Sequence, residues 1–257
     1  GACSTLSGEA QLPSLRRRAK FGSFPFLIIG SMIVQLISLN SSRRTLRGPN
    51  VLISDPFDEV GGGALRMNPA DAARIGDRQL LVYRDRSANE VRDISLVERV
   101  GAGAWSAPQT VHADQWQTAA CPVNGPSIAA NGGRAIIAWP TLAGGTPSVR
   151  YLLRQGDANG PMQTLEEAAA VLGRVDSSAA EGEGFAISWI GAGGDGPALK
   201  LAEIGGDGKL RRVRVVATVD GGRDIGFPRL VWYRGAHYLT WTESAGAGNT
   251  RVILERW

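Results

Sequence analysis

Short apolar runs, each ending in an aromatic residue, recur along the chain. The plainest is Arg134-Ala135-Ile136-Ile137-Ala138-Trp139-Pro140, entered from the glycine turn Asn131-Gly132-Gly133. Gln79-Leu80-Leu81-Val82-Tyr83 precedes it. Gly184-Phe185-Ala186-Ile187-Ser188-Trp189 and His237-Tyr238-Leu239-Thr240-Trp241 follow. The terminal aromatics Tyr83, Trp139, Trp189 and Trp241 are 56, 50 and 52 residues apart. Runs this short, apolar on both faces and bounded by glycine, predict strands sandwiched between neighbouring sheets. An all-β repeat of about 50 residues predicts a β-propeller or β-array. The aromatics are then core residues, Tyr83 included.

Four units align around these runs. The first reads as strands at 70–75, 79–85, 93–100 and 105–112. The second has 126–130, 135–139, 148–154 and 162–166, and the third 174–180, 185–190, 198–204 and 210–217. The fourth has 227–233, 237–243 and 250–255, with no outer strand after it. Gly/Asn/Asp turns between them fit antiparallel hairpins. Along 213–217, Val213, Val215 and Ala217 share one face as a period of two requires, and Val216 is an exception. Residues 167–173 lean helical but are too few for a helix. The prediction is an all-β chain of about four four-stranded antiparallel blades. A closed ring would take its missing outer strand from Val51-Leu52-Ile53-Ser54; otherwise the propeller is open and partial, and its bare edge invites pairing with another copy.

The first fifty residues follow another pattern. Phe21 to Ser42 is a run of 22 residues without charge, preceded by Arg16-Arg17-Arg18-Ala19-Lys20. This predicts a leader (1–49) with a signal-anchor or membrane-spanning segment at about 21–42, ahead of a β domain at 50–257. The expected location is the cell envelope, periplasmic or extracellular, with the leader contacting membrane. Seven cations against Glu9 give residues 1–50 a charge of +6 within a total of +4, so the β part carries −2. It therefore has no basic face for nucleic acid. Two cysteines and two histidines exclude a disulfide framework and make a metal centre improbable, and no cofactor is expected.

In a four-stranded meander, the second-to-third loop and the connection to the next unit open on one end of the sheet. The polar and aromatic residues concentrate in those segments, where a rigid scaffold usually carries function. The candidate ligand-binding set is Arg84, Asp85, Arg86, Arg92, Trp116, Asn124, Arg174, Asp176 and Arg223. Arginine forks suit a carboxylated sugar, and tryptophan suits the apolar face of a sugar ring. Asp114, Asp93 and His112 are the candidates for acid–base chemistry. The competing reading makes the Arg-Asp pairs inter-blade salt bridges, His112 a packed or capping residue, and Cys121 a buried structural thiol.

The turns Gly103-Ala104-Trp105-Ser106, Asp157-Ala158-Asn159-Gly160 and Gly206-Asp207-Gly208 resemble decayed Asp-box turns. The stretches from Val82 to Ile94, Trp105 to Asp114 and Cys121 to Pro126 resemble bacterial exo-α-sialidase-like (BNR-repeat) propeller proteins. Gly226-Phe227-Pro228-Arg229-Leu230 with Thr240-Trp241-Thr242 fits the same family. The resemblance covers about 78–257 and implies the C-terminal portion of such a propeller. It also implies an arginine triad on a substrate carboxylate, a tyrosine nucleophile and an aspartic acid/base. The family's Arg-Ile-Pro motif is absent here. The expected function is an exported or membrane-tethered module that binds a glycan or protein without hydrolysis. The alternatives are a retaining sialoside hydrolase and a fragment without independent function.

Overall fold

The computed structural model describes residues 70–257 apart from positions 121, 223, 224 and 247. The leader and the Val51–Ser54 segment lie outside the described residues. Among those described, no helix is long and apolar enough to cross a membrane, and every regular element is a strand.

The first sheet is β1 (Ala70–Ile75), β2 (Arg78–Arg84), β3 (Ile94–Val100) and β4 (Gln109–His112), in that order. The second is β5 (Ser127–Asn131), β6 (Arg134–Thr141), β7 (Ser148–Gln155) and the two-residue β8 (Ala158–Asn159), with β9 (Gln163–Glu167) also on β7. The third is β10 (Gly173–Ala179), β11 (Phe185–Ala192), β12 (Pro197–Ile204) and β13 (Leu210–Thr218). The last is β14 (Arg229–Tyr233), β15 (Ala236–Gly246) and β16 (Asn249–Arg256). All pairings are antiparallel, each sheet is a meander, and the first strands β1, β5, β10 and β14 pack side by side in chain order. This is the β-propeller arrangement expected from the repeat.

The register explains why the repeat was visible. Asp71 faces Val82, Ser127 faces Ala138, Asp176 faces Ser188 and Arg229 faces Thr240. Each of these partners immediately precedes its aromatic, so the four units superpose residue for residue. Trp139, Trp189 and Tyr83 are buried, as are the runs leading to them. Three core clusters fill the spaces between consecutive sheets: Leu80, Val82 and Leu96 meet Ile137 and Trp139; Ile136 and Tyr151 meet Phe185 and Trp189; Ile190 and Leu199 meet Leu239 and Trp241. Apolar side chains pointing both ways from a middle strand require a sheet on either side, which is what stacking supplies.

Two local departures have physical causes. The outer strand expected at 105–112 shortens to β4, because Trp105 turns aside to stack on the Arg99 guanidinium at 4.8 Å and Ser106 N–H caps the Glu98 carbonyl. In β13, Leu199 pairs with Ala217 while Lys200 pairs with Val215, so Val216 is an inserted bulge residue. The bulge reverses the alternation, so Ala217, paired with Leu199, packs on the core and does not share the expected face with Val213 and Val215, which are exposed. Arg214 is half-buried.

Candidate functional site

The loop between β2 and β3 and the segment between β4 and β5 meet at one end of the first two sheets, here called the mouth. Arg84 is their hub. The residue is 2 % exposed, and its guanidinium donates Nε to the Asn124 carbonyl (3.0 Å), Nη1 to the Arg92 carbonyl (2.8 Å) and Nη2 to the Pro140 carbonyl (2.5 Å). The Trp116 ring lies 4.8 Å from its Cζ. Burial pulls the guanidinium down to about 10, which still leaves it charged at neutral pH. A cation whose donors are spent on three backbone carbonyls orders loops.

Arg92 behaves similarly. It donates to the Thr118 and Ala120 carbonyls and to Glu90 Oε2 at 2.8 Å. Arg86 pairs with the same Glu90 carboxylate, whose backbone sits at φ 61. Asp85 takes the Arg86 N–H and the Ser95 hydroxyl. Arg174 donates to the Gly226 and Gly222 carbonyls and stacks on Phe227 at 5.8 Å. Asn124 donates Nδ2 to the Leu172 carbonyl at 2.8 Å, tying this connection to the next one. The expected ligand-binding arginines are thus engaged within the fold; Arg223 and Cys121 lie outside the described residues.

Asp114 belongs to a repeated clasp. Its carboxylate accepts the Trp139 indole N–H (2.7 Å) and Arg150 Nη1 (2.5 Å). Its side chain is 2 % exposed, and His112 Nε2 stands 3.7 Å away. One sheet later, Glu166 accepts the Trp189 indole N–H (2.6 Å), Lys200 Nζ (2.8 Å) and the Ala192 N–H (2.9 Å). Trp139 faces Arg150 across the ladder as Trp189 faces Lys200. In both cases a carboxylate from one sheet is gripped by a tryptophan and a cation of the next. Burial pushes the Glu166 carboxyl up, but the Lys200 ammonium and the two N–H donors outweigh it and hold it below the usual carboxylate value. Asp114 occupies a structural position by this correspondence, and His112 is the partner beside it.

The third interface solves the same problem differently. Ile253 replaces the cation and Ala217 stands where Glu166 does. Trp241 instead donates to Glu243 on its own strand at 2.9 Å. The matching position in the third sheet is Gly191, where a Cβ would meet Glu166 Oε2 at 2.0 Å. Clasp and same-strand acceptor therefore exclude each other sterically.

Two acceptor oxygens at the mouth have no hydrogen-bond partner among the described residues: Asp93 Oδ1 and Asn124 Oδ1. Burial raises the Asp93 carboxyl above its ordinary value, and the nearby Asp114 charge adds to this, while the backbone N–H dipoles of Trp116 and Gln115 oppose it. The other expected carboxylate, Asp176, lies away from the mouth loops, within β10.

There it joins a polar stack along the first strands. Asp71 Oδ2 accepts the Ile128 N–H at 3.0 Å and lies 2.9 Å from Ser127 Oγ. Ser127 Oγ accepts the Ser177 N–H at 3.0 Å and lies 3.3 Å from Asp176 Oδ1. Asp176 Oδ2 accepts the Leu230 N–H at 2.7 Å. One hydroxyl proton cannot serve two carboxylates, and burial raises Asp176 to about 6. The folded state therefore holds this proton more tightly than the unfolded chain. Its stabilising effect is complete below about pH 4 and is lost as pH rises through about 6. The difference between about 6 and the ordinary carboxyl value corresponds to about 3 kcal/mol. D176N, which keeps an acceptor for Leu230 and gains a donor for Ser127, is expected to abolish that decline. Urea unfolding of parent and variant from pH 4 to pH 8 measures it, and a stability difference that does not change with pH contradicts the assignment.

No family model matches the chain, and no curated protein does either. Solved structures do match in fold. One is an α-L-arabinofuranosidase from Clostridium thermocellum, at 12 % identity and TM-score 0.43, covering 74 % of this chain and 68 % of that one. Another is an arabinanase from Bacillus subtilis, at 12 % identity and TM-score 0.44, covering 76 % and 74 %. A third, a GH43_12 protein from a capybara gut metagenome, has 12 % identity and TM-score 0.47, covering 74 % and 39 %. The sialidase-like, Asp-box resemblance is corrected by this result, since these matches are to arabinanase-type proteins. The turns themselves agree with the correction. Asp157 reaches out to Arg78 of the first sheet at 2.5 Å, whereas Asp207 accepts the Lys209 N–H within its own turn. They do not share one hairpin geometry.

Sequence reasoning missed the clasps and the polar stack. A signal for the clasps existed: Arg150 and Lys200 each follow their tryptophan by 11 positions. The matching carboxylates follow no common spacing, because Asp114 comes from a loop and Glu166 from β9.

Proposed function

We propose that this β-propeller is a carbohydrate-binding module that does not hydrolyse its ligand. The reading rests on one observation. At the mouth, the carboxylate best placed for acid–base work, Asp114, is committed to Trp139 and Arg150. Asp93 Oδ1 and Asn124 Oδ1 meanwhile stand unpartnered in the loops that hold Trp116. Buried acceptors without donors beside an indole call for hydroxyl hydrogens and an apolar ring face, and a sugar carries both. The basic, apolar stretch at 16–42 adds export to the cell envelope to the reading.

A glycan array followed by calorimetry tests it. Retention of at least one glycan and a tenfold or greater loss of affinity in W116A are expected. Failure of every glycan to bind, or equal binding by W116A, overturns the reading.

A second reading, glycoside hydrolysis, is favoured by a single feature. Asp176, raised to about 6, stands one hydroxyl away from Asp71, and acid–base chemistry uses paired carboxylates of differing pKa. Aryl α-L-arabinofuranosides and aryl β-D-xylosides serve as test substrates. Turnover lost in both D71N and D176N would establish this reading in place of the first.

A further inference from the structure

A cleft of about 520 Å³ opens between the third and fourth sheets. It is lined by the β10–β11, β12–β13 and β14–β15 turns and by Trp257. In a meander these turns all fall at the end away from the β2–β3 loop, so the cleft is remote from the mouth. Among the described residues, none of those expected from sequence to bind a ligand lines it.

Its polar groups are arranged for a neutral ligand. His237 is 7 % exposed and lines the cleft, and its Nε2 has no partner among the described residues. Burial lowers its pKa, so the imidazole is neutral at pH 7 and carries one lone pair. The unpartnered Nε2 is free to supply that acceptor. Arg214 Nε is a second buried group without a partner, and it offers a hydrogen. The cationic charges are already matched: Arg214 with Glu203 at 2.7 Å and Arg211 with Asp207 at 2.8 Å. An anion finds no free cation here.

The aromatic walls complete the site. Trp232 meets the His237 ring edge-on, with centroids 4.7 Å apart. Trp257 is 36 % exposed. It is held beside His237 by two backbone hydrogen bonds, His237 N–H to the Trp257 carbonyl (2.9 Å) and Trp257 N–H to the His237 carbonyl (2.8 Å). Two unpartnered nitrogens, one able to accept and one to donate, and partly open indoles match the hydroxyls and ring face of a sugar.

We propose that this cleft is a second binding site, taking a neutral sugar unit through His237, Arg214, Trp232 and Trp257. It stands on its own residues and does not depend on binding at the mouth. Neutral hexasaccharides of glucose, xylose, galactose and mannose are titrated into the full chain. The indole N–H resonances of Trp116, Trp232 and Trp257 are followed by NMR, with affinity taken from calorimetry. At least one hexasaccharide is expected to shift Trp232 and Trp257. W257A should weaken that binding at least tenfold, and H237A should abolish it while H237Q, which retains an acceptor, recovers part. W257A removes a partly exposed ring, so it keeps the test valid where H237A fails to fold. No shift of Trp232 and Trp257 with any hexasaccharide, or unchanged affinity in W257A, overturns the proposal. Shifts confined to Trp116 leave the mouth reading standing and remove this one; shifts confined to Trp232 and Trp257 do the reverse.

Discussion

Replacing Arg84 by alanine is expected to lower the unfolding free energy by about 4 kcal/mol. Three carbonyls, of Asn124, Arg92 and Pro140, lose their donor together. Arg92 and Asn124 belong to the connections over the end of the first two sheets and Pro140 to the end of β6, where water is largely excluded. The removed side chain also leaves a void beneath Trp116. R84K keeps the charge but not the planar fork, and is expected to recover less than half of the loss. R84M restores volume without donors and is expected to recover little. Urea unfolding gives the free energies, and Trp116 fluorescence reports loosening of the mouth. A cost below about 1 kcal/mol for R84A would mean that the carbonyls find water, and that Arg84 is free to serve a ligand instead.

Removing Glu166 is expected to cost about 3 kcal/mol, whereas removing Glu166 and Lys200 together costs about 1 kcal/mol. The single variant E166A strands a largely buried ammonium, an indole N–H and the Ala192 N–H. In E166A/K200I the uncompensated charge is gone, and the pair resembles the natural Ala217 and Ile253 of the following interface. Adding G191E should recover more, because it supplies the Trp189 indole with a same-strand acceptor as Glu243 does for Trp241. That third substitution is expected to be harmful in the parent, where Glu166 already fills the space. The comparison is read from unfolding midpoints at constant slope. A double variant as unstable as the single would show that the indole bonds, rather than the ion pair, dominate the clasp.

These two cases also delimit the site. Side chains conspicuous in the sequence for their charge, Arg84, Arg92, Asp114 and Arg174, are used to fasten loops and sheets to one another. Among the buried atoms left without partners are one oxygen each of Asp93 and Asn124 at the mouth, and one nitrogen each of His237 and Arg214 at the cleft. In the two sites proposed above, unfilled hydrogen-bonding capacity rather than charge density would meet the ligand.

The repeat of apolar runs ending in Tyr83, Trp139, Trp189 and Trp241 determined the strands, their antiparallel order and the stacking of sheets. Period, turn chemistry and two-sided apolarity are local properties that the chain carries wherever it folds. The seating of Asp176 could not be read that way, since its neighbours Asp71, Ser127 and Leu230 come from three other strands. The same holds for Asp114, whose role was fixed by Trp139 and Arg150, and for the cleft at His237, assembled from turns of two sheets. A hydrogen bond or a desolvated charge depends on which atoms arrive from elsewhere, and only the packed arrangement decides that.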